Sequence, residues 1–176
     1  MRWLPLLLGL AAGASGYWPL DAQTPVPSCN AHPGFAWLDF WLGSWDVYIQ
    51  DNQVGSNEIQ KILDGCAITE HWTDARGRRG YSLFYFQPVR QTWKQVWVTD
   101  QALGRGGLKE KALIARFPDG GVRFQGEIPV AEGGSYLDRT TLTPVTADEV
   151  RQVIEVSTDG GATWRVTFDA RYRRRR

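Results

Sequence analysis

Phe35-Ala36-Trp37-Leu38-Asp39-Phe40-Trp41-Leu42-Gly43-Ser44-Trp45 sets five aromatic rings within eleven residues and ends just before the first alternating apolar run. The segment predicts the plug and opening strand of a small β-barrel. Gly43 frees the backbone turn and the Trp45 indole covers the closed end, so both are read as structural residues. Upstream, His32-Pro33 through Leu42 predicts a short plug helix. Pro33 lies near its first turn, the apolar positions are Phe35, Leu38 and Leu42, and Gly43 is the C-terminal stop.

From Trp45 onward the hydrophobic period becomes two. Ten runs have strand character: 45–50, 55–63, 67–73, 81–87, 92–100, 108–117, 122–130, 135–143, 150–157 and 163–172. Turn signals such as Asp64-Gly65, Pro88, Asp119-Gly120-Gly121 and Gly133-Gly134 separate them, and no connection is long enough for a helical crossover. The expected fold is therefore all-β, an up-and-down antiparallel barrel of about ten strands, closed to protect its edges. Alternation is clear where Val122, Phe124, Gly126 and Ile128 oppose Arg123, Gln125 and Glu127. The last strand places Trp164, Val166, Phe168, Ala170 and Tyr172 on one face. Because successive turns alternate between the two ends, the longer loops (51–54, 74–80, 101–107, 131–134 and 158–162) share one end. That end is the expected mouth, opposite the plug.

At 176 residues the chain has room for one domain. Met1-Arg2, the apolar run Trp3 to Ala12 and the small residues through Gly16 have the parts of a secretory signal peptide, too short for a membrane span. The division is a signal peptide over 1–22, with cleavage between 14 and 22, a linker over 23–32 and a single barrel over 33–176. The expected location is exported, periplasmic or secreted. With Arg2 set aside, basic and acidic side chains are equal at 19 each, without the excess a nucleic-acid partner requires. Arg173 to Arg176 read as the solvated end of the last strand. Cys29 and Cys66 are an even pair in an oxidising compartment, which favours one disulfide tying plug to wall over two buried thiols.

Ser157-Thr158-Asp159-Gly160-Gly161-Ala162-Thr163-Trp164 matches the Asp-box pattern S-x-D-x-G-x-T-W. Its spacing suits a hairpin whose Asp and Ser bind turn amides while Trp packs beneath, so Asp159, Gly161 and Trp164 are read as structural. The motif resembles the Asp-boxes of sialidase propellers, but a single copy cannot build a propeller. Glu70 and His71 are strand neighbours and point to opposite faces, which weakens them as an acid–base pair. With two histidines in the chain, His32 and His71, no metal site and no cofactor are assigned; a lone histidine leaves haem ligation open. There is no Gly-x-Ser-x-Gly elbow, and Gly104, Gly106 and Gly107 lack the following helix of a phosphate cradle.

What remains is an aromatic interior. Trp72, Phe84, Trp97, Phe124 and Trp164 are candidate lining residues, with Glu70, Gln95 and Arg139 as polar anchors. Arg76, Arg78, Arg79 and Arg105 at the mouth favour an anionic head group. No catalytic residue is assigned.

Phe40-Trp41-Leu42-Gly43-Ser44-Trp45, Gly65-Cys66, Gln95-Val96-Trp97-Val98, the Asp-box and Tyr172-Arg173 occur in this order. Together they resemble a bacterial exported family of lipocalin-like, calycin-type proteins with an FDFW-[LI]-G-x-W opening. The similarity covers about 29–173 and departs only at Leu38-Asp39-Phe40, where Phe-Asp-Phe is usual. It implies a lipocalin-like barrel in which a late arginine, Arg171 or Arg173, packs over the opening Trp; it supplies no reaction. The leading reading is an exported carrier of a small hydrophobic or amphipathic, anionic ligand. The alternatives are a barrel enzyme of isomerase or cyclase type using Glu70 or His71 with Arg139, and an extracytoplasmic interaction module.

Overall fold

A computed structural model describes residues 26–104, 106–131 and 133–176; the signal-peptide reading, the first linker residues and Arg105 lie outside them. Ten strands follow one another in chain order: β1 (Gly43–Ile49), β2 (Asn52–Ile62), β3 (Ala67–Asp74), β4 (Arg79–Gln87), β5 (Thr92–Thr99), β6 (Leu108–Arg116), β7 (Val122–Pro129), β8 (Ser135–Thr146), β9 (Glu149–Ser157) and β10 (Arg165–Arg174). Each pairs antiparallel with its neighbours, and β1 closes on β10 through Trp45 opposite Arg174 and Val47 opposite Tyr172. The result is a closed, up-and-down, lipocalin-like barrel, which has no free edge.

The plug departs from the expected single helix. Cys29–Ala31, Pro33–Ala36 and Asp39–Trp41 are three separate 3₁₀ turns. The burial pattern gives the reason: Phe35, Leu38 and Trp41 are the buried residues, spaced by three, and three residues per turn is the 3₁₀ period. Trp41, not Leu42, therefore makes the third apolar contact. Cys29–Ala31, assigned to the linker by sequence, belongs to this plug.

The plug seals the end that carries the short turns. Trp93 Nε1 donates to Gly34 O at 2.9 Å, Trp45 Nε1 donates to Trp41 O at 2.8 Å, and Phe35 packs edge-on to Phe86 with ring centroids 4.9 Å apart. A Cys29–Cys66 disulfide ties it to the turn between β2 and β3. That turn runs through left-handed backbone at Leu63, Asp64 and Gly65, and Asn30 Nδ2 donates to Asp64 O at 3.3 Å.

The terminal arginines do more than solvate a strand end. The Arg174 guanidinium lies 4.2 Å from the Trp45 ring centroid and donates to Leu42 O at 3.0 Å and Ala147 O at 3.1 Å. Arg174 thus occupies the place expected of Arg171 or Arg173, because its register partner is Trp45 itself. Arg173 instead covers Tyr48, and Arg171 pairs with Glu149. Gly43 has φ +123°, and a Cβ there would collide with the Arg174 guanidinium. The turn and the seam both require glycine at this position.

One expected face is interrupted. A bulge between Val166 and Phe168 shifts the register of β10, so Val166 turns to solvent while Phe168, Ala170 and Tyr172 point inward.

Candidate functional site

Strand parity brings nine polar side chains to the middle of the barrel interior: Asn57, Glu70, Ser82, Gln95, Lys111, Asp138, Thr140, Gln152 and Tyr172. All are buried. Below them, toward the plug, Phe84, Phe124 and Trp41 close the floor with edge-to-face contacts at 5.5 and 5.6 Å. Above them is a cavity of about 200 Å³. Glu70, Gln95, Lys111, Thr140, Gln152 and Tyr172 form its polar base, and Trp72, Trp97, Lys109, Ile154 and Phe168 its upper wall. Glu70 and Lys111 are 4% and 5% exposed, whereas the upper-wall residues are half-buried, so the cavity opens toward the long-loop end.

The polar base divides into two poles. At the acidic pole, Asn57 Nδ2 donates to Glu70 Oε1 at 2.7 Å and Ser82 Oγ to Glu70 Oε2 at 2.6 Å, while Gln95 Nε2 donates to Ser82 Oγ at 3.0 Å. Burial nevertheless raises the Glu70 pKa, an effect only partly offset by these donors and by Lys111. Asn57 Oδ1 is buried without a hydrogen-bond partner among the described residues. At the basic pole, Asp138 bridges two lysines. Lys109 Nζ donates to Oδ2 at 2.7 Å and Lys111 Nζ to Oδ1; Lys111 Nζ also donates to Thr140 Oγ1 at 2.6 Å. Burial, reinforced by the neighbouring Lys109 charge, lowers the Lys111 pKa to about 8 even though Asp138 opposes the shift. Between the poles Tyr172 OH donates to Gln152 Oε1, and burial holds that phenol well above its ordinary range.

Two glycines shape the walls. A Cβ at Gly80 would overlap the Trp97 ring, and one at Gly126 would collide with the backbone carbonyl of Glu110, next to the Lys111 stem. Their absence lets the Trp97 indole lie over β4 and lets β7 approach β6 closely beside Lys111.

Of the anchors read from sequence, Glu70, Trp72, Gln95 and Trp97 come together at this cavity. Phe84 and Phe124 point inward but lie under it, each 1% exposed in the solid floor. Arg139 is a correction: it faces the outer wall, because its neighbours Asp138 and Thr140 take the inward positions of β8. There it donates to Glu155 at 2.7 and 2.8 Å and stacks 3.8 Å from the Trp164 ring centroid. Trp164 is likewise no lining residue; its Nε1 donates to Gly161 O at 3.0 Å within the Asp-box hairpin. That hairpin is built as a turn: Gly161 N donates to Ser157 Oγ at 2.9 Å, and Thr163 N and Oγ1 donate to Asp159 at 2.9 and 2.6 Å. Ser157 Oγ also donates to Asp159 Oδ1 at 2.7 Å, and this bond with those from Thr163 holds the Asp159 carboxyl far below its usual range.

His71 also faces outward, its ring 4.8 Å from that of Tyr81, so Glu70, His71 and Arg139 share no site. At the mouth, Arg78 pairs with Asp74 at 2.6 Å and Arg79 with Asp100 at 3.8 Å. Inside the cavity, Lys109 and Lys111 share the single carboxylate of Asp138, so positive charge for a guest is also available at the base. Sequence reasoning missed both lysines, with Asp138, Thr140, Gln152 and Tyr172. The signal was present: Lys109, Lys111 and Leu113 share one side of β6, and Lys111 and Lys109 pair directly with Gln95 and Trp97 on the neighbouring β5.

A wider cleft of about 490 Å³ lies beside the mouth, between residues 102–104 and 106–110 on one side and 127–131 on the other. Apart from Lys109, Glu110 and Glu127 its lining is apolar or glycine, so the inner cavity, with six buried polar side chains at its base, is the stronger candidate despite its smaller volume. Among the described residues no group of three or more His, Cys, Asp or Glu side chains is placed to hold a metal, and no helix is long and apolar enough to cross a membrane. No protein-family model matches the chain, and no curated protein matches it significantly.

Proposed function

We propose that this chain is an exported binding protein of the lipocalin-like, calycin-type family, and that its barrel sequesters or carries a compact amphipathic molecule, preferentially an anionic one. The supporting observation is the buried polar belt beneath an open aromatic collar. Burying ionisable groups costs free energy unless partners satisfy them, and a barrel that needed only stability would fill this level with apolar side chains. Trp72, Trp97 and Phe168 offer flat apolar faces to a ring, and Lys109 and Lys111 offer donors to a head group at the base.

The volume limits the guest. About 200 Å³ lies below the roughly 300–1,000 Å³ of drug-sized sites, which points to a single ring bearing one polar substituent. Tryptophan-fluorescence titration with benzoate, 4-hydroxybenzoate, benzyl alcohol and dodecanoate tests the reading. The single-ring acids give saturable quenching, and Lys111→Met weakens them by about tenfold to a hundredfold, as loss of a charge-assisted hydrogen bond would. Absence of a saturable response from every ring compound would refute it.

A further inference from the structure

Lys111 stands apart from the other three lysines, Lys61, Lys94 and Lys109. It alone is buried, and its Nζ reaches the base of an open cavity instead of bulk solvent. We propose that Lys111 condenses with an aldehyde or ketone on the bound guest, holding it covalently as an imine. This rests on the binding reading above and deepens it, because it names the reactive group of the guest.

Three features of the site serve that chemistry. First, Asp138 touches the Nζ of both Lys111 and Lys109, so a second cation sits beside the amine; this arrangement, with desolvation, activates a lysine as a nucleophile. Second, the balance needs no outside reagent. The Nζ lone pair forms a bond to the carbonyl carbon as the C=O π pair moves to oxygen, and the C–O bond then breaks as C=N forms. Two of the three ammonium protons leave on that oxygen as water, and the third stays on the iminium nitrogen. The positive charge is conserved, so Asp138 is the counter-ion before and after. Third, two carboxyls can exchange those protons: Asp138, bonded to the amine, and Glu70, which lines the same cavity. The aromatic collar above offers Trp72, Trp97 and Phe168 to hold the ring of the condensed guest in place.

The lowered pKa agrees with this arrangement, since a larger fraction of Lys111 is the free amine near neutral pH than for an exposed lysine.

The test is to incubate the folded protein with benzaldehyde and cyanoborohydride, which delivers hydride to the C=N bond, and to map the product by mass spectrometry. The expected result is one benzyl group, on Lys111, while Lys61 and Lys94 remain unmodified, with labelling that accelerates as pH rises toward 8 and that benzoate suppresses. In urea the selectivity disappears. Lys111→Arg abolishes the fast label; if that variant does not fold, benzoate protection of the wild-type protein supplies the same readout. Label spread over Lys61, Lys94 and Lys109 at the rates of the unfolded chain overturns the proposal. So does saturable benzoate quenching without any label on Lys111, an outcome that leaves the binding reading standing; loss of both quenching and label removes the two together.

Discussion

Arg174 stacks 4.2 Å from the Trp45 ring centroid while its guanidinium also reaches Leu42 O and Ala147 O, so one side chain joins the plug, the first strand and the turn between β8 and β9. A partly desolvated cation–π contact is worth about 1–2 kcal/mol and each carbonyl bond about 1 kcal/mol net. Arg174→Ala is therefore expected to lower stability by about 2–3 kcal/mol. Arg174→Lys should recover little, because an ammonium cannot stack and fork at once. Urea unfolding reads this as a lower midpoint at unchanged slope.

The Cys29–Cys66 bond fastens the plug across a separation of 37 residues. A loop of that length restricts the unfolded chain by about 4 kcal/mol in the entropy model. Cys29→Ser with Cys66→Ser should lose about 2–4 kcal/mol in urea, and dithiothreitol should bring the wild-type protein to the same midpoint. Equal midpoints for oxidised and reduced wild type would contradict the role assigned to the bond.

Trp97, in the cavity wall, packs directly against Gly80. A Cβ at position 80 overlaps the indole, which must then rotate into the cavity. Gly80→Ala should cost about 1–3 kcal/mol by overpacking and abolish calorimetrically detected binding of ring acids. Ser82→Ala, one inward position deeper, breaks the Glu70 hydrogen bond without narrowing the site, so it should weaken binding while leaving a measurable heat.

Much of this architecture was legible before any coordinates. The period-two runs and glycine-rich turns place all ten strands within a few residues, and turn parity puts the plug opposite the long loops. Glu70, Trp72, Gln95 and Trp97 follow from alternation because their strands carry no bulge ahead of them. Arg139 does not: the charge on β8 that belongs inside is Asp138, and which of two adjacent charged residues turns inward depends on pairing with Gly126 and Val156, which only the assembled sheet fixes. Val166 was misplaced because one inserted residue reverses every face before it. Lys111 was passed over because a charged residue on a short strand reads as solvent-facing until Asp138 and Thr140 are seen beside it.

The two poles predict opposite pH dependences. The folded Lys111 pKa of about 8 lies below the ordinary 10.5, so between these values the unfolded chain binds more protons and stability rises with pH. Lys111→Met should remove that rise, seen as a difference between its Tm-against-pH profile and that of wild type over pH 8 to 10.5. For Glu70 the sign reverses. Its raised pKa means the folded state holds the proton longer, so stability falls as pH climbs above 4.5 through the folded value, and Glu70→Gln should flatten that fall. A Glu70→Gln profile that tracks wild type throughout would contradict the assigned burial cost.

The most direct test of the central claim, that the barrel takes a guest between its aromatic collar and its polar base, is a titration followed by the indole N–H signals in a ¹H–¹⁵N spectrum. With 4-hydroxybenzoate, the Trp72 and Trp97 signals should move together and saturate, while those of Trp45 and Trp93 beneath the floor stay fixed. Movement confined to Trp164 on the outer wall or to the plug indoles, or no movement at saturating ligand, would contradict it.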